Sequence, residues 1–220
     1  MDDNVSSFHK LYKWALLLAV ITVFYNILEG LVSVYFGFED DALSLFGFGL
    51  DSFVEAVSGI GVWHMTVRIR QNLDGDMDLF QRQALKTTGG AFYILAAGLT
   101  VSSVINIIQG KHPSTAFWGI VISLISILAM WLLVHFKVKV GTKLNSQAIL
   151  SDAACSRTCI YLSIVLLSGS IGYALTGIGW FDSAGAMIIA ALSYKEGREA
   201  FSKARGKKTC CCGSACAAKR

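Results

Sequence analysis

The sequence predicts an all-α membrane protein of six transmembrane helices, with both termini in the cytosol and no soluble domain. Composition is the first of three observations behind this. The 220-residue chain is 54% hydrophobic and only 15% charged, whereas soluble domains carry about 25% charged residues. A deficit spread over the whole chain means that lipid replaces water around most of it. The second observation is six apolar runs separated by charge clusters, each able to cross about 30 Å of hydrocarbon. The third is the one-sided placement of lysine and arginine. A single proline among 21 glycines suits packed helices better than a β-barrel.

The runs fall at about 11–36, 42–67, 84–108, 114–136, 146–175 and 181–194. The first is too long for a signal-peptide h-region, holds Glu29 and lacks a small-residue cleavage site, so it reads as a retained helix. The sixth is short and borrows a turn from its basic flank. With the N-terminus in the cytosol, 17 lysines and arginines fall inside and Lys111 alone outside, with Arg157 in the membrane. Lys137, Lys139 and Lys143 are read as the fourth–fifth loop, and Glu39–Asp41 as a solvated outer turn. The organisation is thus a cytosolic start (1–10), a six-helix domain (11–204) and a basic, cysteine-rich cytosolic tail (205–220).

Charged groups in lipid are expensive, so each one inside a span calls for a partner or a task. Asp51 and Glu55, four apart, share one face of the second helix; Cys155 and Cys159 do the same on the fifth, with Asp152 beside them. Counting from the cytosolic ends sets Asp51 level with Cys159 and Glu55 level with Cys155, offset by about 4.5 Å. Two carboxylates and two thiolates form a tetrahedral set of mixed hardness, suited to Zn²⁺ and more so to Cd²⁺. Mg²⁺ and Ca²⁺ want more oxygens. Closely spaced anions in a low dielectric retain protons when empty, and an entering metal must displace them, which is the basis for metal–proton exchange. There is no phosphate-binding glycine loop, which argues against nucleotide drive, and no domain to present a basic face to nucleic acid. Arg157 points away from the cysteine face, toward a neighbouring acid such as Glu29.

These motifs resemble the cation diffusion facilitator family of metal transporters. The stretch Ala42-Leu-Ser-Leu-Phe-Gly-Phe-Gly-Leu-Asp51-Ser-Phe-Val-Glu55 is similar to the family's second span. Ser151-Asp-Ala-Ala-Cys155-Ser-Arg-Thr-Cys159 is similar to its A-D-A-x-H-x-x-x-D pattern, with cysteines in place of the histidine and aspartate. Asn26 and Glu29 match a polar patch of the first span, and Asp182 an aspartate opening the sixth. The resemblance implies Asp51, Glu55, Cys155 and Cys159 as transport ligands, with Asp152, Asn26, Glu29 and Asp182 as entry or accessory residues. It further implies proton-coupled export of Zn²⁺ or Cd²⁺, no cofactor beyond the transported ion, and a homodimer in membrane lipid, in a bacterial-type inner membrane. The cysteines shift the expected ion toward softer metals. The family's usual C-terminal domain has no counterpart after the sixth span, where Cys210, Cys211, Cys212 and Cys216 could capture metal instead. A Hg²⁺ or Cu⁺ carrier, a membrane thiol oxidoreductase and a non-transporting sensor remain as other readings of the same cysteines.

Overall fold

A computed structural model describes residues 2–70, 79–110, 113–144 and 147–205. Six helices follow in order: α1 (Asp2–Glu39), α2 (Leu43–Arg70), α3 (Leu79–Gln109), α4 (Phe117–Lys143), α5 (Gln147–Thr176) and α6 (Trp180–Ala204). Lys13–Glu39, Lys86–Gln109, Phe117–Lys143 and Ser156–Thr176 are long and apolar enough to cross a membrane by length and composition. Helix α6 is of similar length but more polar, carrying Asp182, Glu196 and Glu199 together with Lys195 and Arg198, whereas α2 is as apolar as α1 apart from Asp51 and Glu55, which face other helices.

Glycines show how α2 runs. A Cβ on Gly37 would strike the backbone of Phe46, one on Gly49 would meet Ser33 and Val34, and one on Gly59 would touch Val23. As the α1 position falls, its α2 partner rises, so the two helices form an antiparallel hairpin and α2 returns through the layer that α1 crosses. Small residues allow this close backbone approach. Helices α4 and α5 form a second hairpin, with Gly119 against Ser170 and Gly141 against Leu150. Helices α3 and α6 pair separately, crossing where Gly89 meets Phe201 and Gly197 meets Tyr93. Contacts of α1 with α4 and of α2 with α5 close the hairpins into a four-helix bundle, and the α3–α6 pair leans on it through α2 and α5.

Two apolar clusters fill the interior. One, toward the outer side, gathers Leu45 and Phe48 with Leu99, Leu162, Leu166 and Ile189. The other, toward the cytosol, packs Leu18, Met130, Leu133 and Ile149 around Cys159. Many large apolar side chains point outward, among them Phe24, Ile94, Leu128 and Leu175, as expected for a surface in lipid. Gly177, at φ 67°, ends α5 and donates its N–H to Tyr173 O at 2.8 Å, a left-handed stop that glycine adopts without steric cost.

The helices outrun the sequence-based spans. Lys137, expected in a cytosolic loop, lies within α4; it is buried and donates from Nζ to Ser156 Oγ at 2.9 Å. The helix continues because its inward-facing residues Val140 and Gly141 keep packing on α5. The outer turn also departs from expectation. Glu39 and Asp41 are exposed, but Asp40 is buried, its carbonyl accepting from Ser114 N at 2.7 Å. Its Oδ2 meets no hydrogen-bond donor among the described residues.

Two predictions follow from this packing. Gly37→Ala should force α1 and α2 apart, since backbone on the facing helix cannot yield, and cost about 1–3 kcal/mol; a drop in the unfolding temperature of the detergent-solubilised protein checks it. Loss of hydration, and then the neighbouring Glu39, raise the Asp40 pKa above the usual carboxylate value. A raised carboxyl favours the fold while protonated, and that benefit is lost as pH climbs from the unfolded value through the folded one. Asp40→Asn should therefore raise the melting temperature at pH 7 by roughly 2 °C, with the gain vanishing below about pH 4.

Candidate metal site between the hairpins

Several acids of the membrane interior gather with a thiol in one layer between the two apolar clusters. Helix α2 contributes Asp51, Ser52 and Glu55, spaced so that all three face other helices. Asp51 is buried and accepts from Ser193 Oγ of α6 at 3.0 Å. Glu55 Oε2 accepts from the thiol of Cys159 on α5, and Asn26 Nδ2 of α1 approaches the same oxygen at 3.4 Å. Asn26 Oδ1 is buried with no donor among the described residues. Four helices thus bring polar side chains to one place. The carboxyls of Glu29 and Glu196 stand near enough to act electrostatically on both Asp51 and Glu55.

This pairing corrects the depth alignment. Counting had set Glu55 beside Cys155 and Asp51 beside Cys159, yet Glu55 meets Cys159. The observed bounds supply the reason. Glu55 stands 15 residues from Arg70, and Cys159 stands 12 from Gln147. At 1.5 Å per residue those depths differ by about 4.5 Å, against about 10 Å for Asp51 with Cys159. The extra turn at the cytosolic end of α2 moves the register by one carboxylate. Cys155 and Asp152 follow on α5 at i−4 and i−7 from Cys159, with their side chains outside the described residues. Among the described residues, no three His, Cys, Asp or Glu side chains stand close enough to hold a metal ion as placed, and Asp51 is turned toward Ser193.

The remaining residues singled out by sequence take different places. Glu29 is buried beside the layer, accepting from Tyr25 OH at 2.9 Å and from Ser52 Oγ at 3.0 Å. It therefore does not depend on Arg157, which is exposed on the opposite face of α5; neutral hydroxyls satisfy the carboxyl without the burial of a second charge. Asp182 lies at the outer end, away from the layer. Its Oδ2 accepts from Leu43 N at 2.9 Å, and its Oδ1 from Ser44 N at 3.1 Å and from the Ser44 hydroxyl. It thus caps the first turn of α2 from a neighbouring helix, satisfying amides that have no partner within α2. Cys210, Cys211, Cys212 and Cys216 lie outside the described residues.

Sequence reasoning missed the contribution of α6. Ser193 holds Asp51, and Glu196, one turn on, accepts from Thr158 Oγ1 of α5 at 3.1 Å. The sixth span had been ended at Tyr194, before Glu196. The buried set Ser193, Gly197, Ala200 and Ala204, repeating at four, three and four residues, was a helical signal that this face stays packed.

An antiparallel helical bundle with four apolar spans and a buried carboxylate–thiol layer defines a multi-pass integral membrane protein of transporter type. A family model described as the cation efflux transmembrane domain matches residues 85–206, more than half of the chain. The chain belongs to this family of transporters, as its motifs suggested. The match begins in α3, so Asp51 and Glu55 lie ahead of it. An uncharacterized transporter of Methanocaldococcus jannaschii is 24% identical over 181 residues. The alignment covers 80% of this chain and 63% of that relative, so the chain spans less than two thirds of the relative's length.

The cap tests the separation between the layer and the outer end. Asp182→Ala should destabilise the protein by about 1 kcal/mol through the start of α2, measured by thermal unfolding in detergent. Asp182→Asn should recover part of the loss, since its amide oxygen still accepts.

Proposed function

We propose that the protein exports divalent transition-metal ions, Zn²⁺ or Cd²⁺, in exchange for protons, with Asp51, Glu55, Cys155 and Cys159 as the ligands. The observation that carries this reading is the part-buried contact of the Glu55 carboxylate with the buried Cys159 thiol across the two hairpins. Carboxylic acid and thiol are both proton carriers at neutral pH when buried, and both become metal ligands once the proton leaves. The free Oδ1 of Asn26 beside them offers a further neutral oxygen. Rotation of Asp51 away from Ser193 would bring a second carboxylate to the ion, and Cys155 follows one turn from Cys159 on the same helix face.

In this reading the empty site is the protonated form. An arriving cation replaces the Cys159 proton, the Glu55–Cys159 contact opens, and the released protons leave against the metal. The cysteines favour the softer end of the range, and no cofactor beyond the transported ion is invoked. The cation efflux family match supports the transport of a cation. Both the homodimer and the bacterial-type inner membrane rest on the family resemblance and on the one-sided basic residues.

Proteoliposomes enclosing a pH dye provide the test. External Zn²⁺ and Cd²⁺ should each drive counterflow of protons from the wild type, whereas Ca²⁺ should not. Glu55→Gln and Cys159→Ala should each lower the metal-dependent rate by at least about 100-fold, with melting temperatures close to wild type. Undiminished flux in both variants would sink the proposed ligand set, and metal flux without proton movement would sink the coupling.

A further inference from the structure

The cytosolic end of the α3–α6 pair holds a cavity of about 400 Å³, lined by Tyr93, Arg198, Phe201, Ser202 and Arg205. It is separate from the acid–thiol layer. Its floor is aromatic: Tyr93 and Phe201 stack at 5.4 Å with planes 15° apart, and Tyr194 packs on Tyr93 at 5.2 Å. The stack sits over the close crossing of Gly89 and Gly197, where a Cβ on either glycine would strike these rings. Arg198, Ser202 and Arg205 follow at four and three residues, so they form one stripe along α6. Both arginines are exposed, and neither forms an ion pair with a described residue.

We propose that this groove binds the phosphodiester headgroup of an anionic phospholipid of the cytosolic leaflet. Depth is one argument. Arg198 and Arg205 lie 18 and 25 residues beyond Trp180, about 27 and 37 Å along the helix. With hydrocarbon about 30 Å thick, the cup stands in the headgroup layer. The path above it is the second argument. On the same stripe Met187 and Tyr194 are exposed, as is Val101 two turns beyond Tyr93 on α3, so an apolar track for acyl chains leads out of the basic cup. Guanidinium forks suit phosphate oxygens, the Ser202 hydroxyl between them adds a donor, and basic pockets between helices on the cytosolic side are suited to anionic headgroups. All charged side chains of the tail 206–220 are basic, so its charge does not fit the cup.

Native mass spectrometry of the purified full chain, given phosphatidylglycerol or phosphatidylcholine of matched acyl chains, tests this without any reference to transport. The wild type should retain phosphatidylglycerol preferentially. The double variant Arg198→Gln/Arg205→Gln should lose about tenfold of that preference, at unchanged melting temperature. Lys139→Gln/Lys143→Gln, which removes the same charge from exposed positions on α4, should keep it. Equal losses in both double variants would reduce the effect to general surface charge and overturn the site. So would displacement of the lipid by millimolar inorganic phosphate, which would identify free phosphate as the occupant. Absence of any preference in the wild type, the result expected if Asp74, Asp76 and Asp78 satisfied the guanidiniums instead, overturns it too.

Discussion

The constraint that organises this molecule is that a carboxyl inside the helix bundle needs hydrogen-bond partners, and for Asp51, Glu55 and Glu29 these come from other helices. Water is absent from the hydrocarbon layer, and an unsatisfied acid there costs several kcal/mol. Asp51 is met by α6, Glu55 by α1 and α5, and Glu29 by α2 and by Tyr25 of its own helix. Helix α2 supplies two of the three acids and therefore has to lie at the centre, touching α1, α3, α5 and α6. Its two carboxyls, a liability against lipid, are accommodated by that position.

Glycine and serine make such a centre possible. The α1–α2 hairpin closes until Gly37 and Gly49 admit nothing larger, and Ser126 and Ser163 bond to each other at 2.8 Å between α4 and α5. Close helices bring short side chains within bonding distance, so Asp51, Glu29 and Glu55 accept from hydroxyls, a thiol and an amide. That choice suits a transport layer. A neutral partner gives way to an incoming cation, whereas a lysine or arginine would already occupy its place electrostatically. Lys137, the buried cation among the described residues, bonds Ser156, a turn of α5 closer to the cytosol than Cys159.

The two halves of the membrane differ in the same terms. Outward of the layer, Leu45, Phe48, Leu99 and Leu166 pack into a continuous apolar plug. At the outer surface Asp182 fixes the start of α2, and Trp118 stacks on Phe36 at 3.6 Å. Toward the cytosol, the α3–α6 pair parts around a basic, aromatic-floored groove. The basic surface therefore concentrates on the inner side.

Much of this was legible in the residues alone. Charge deficit and apolar runs determined a six-helix membrane protein, since only lipid accommodates such a surface. The i, i+4 spacings singled out Asp51 with Glu55 and Cys155 with Cys159, because periodicity is a property of a single helix. What one helix cannot encode is its register against another. Glu55 rather than Asp51 faces Cys159, Glu29 turns to Ser52 and Tyr25 rather than Arg157, and Asp182 caps α2 rather than joining the polar layer. Each of these depends on where two helices begin and how far they slide, and a single turn of extension moves a side chain by about 5 Å. The partners of Ser193 and Glu196 are hidden for the same reason: they lie on α2 and α5, distant in sequence, and only packing brings them together.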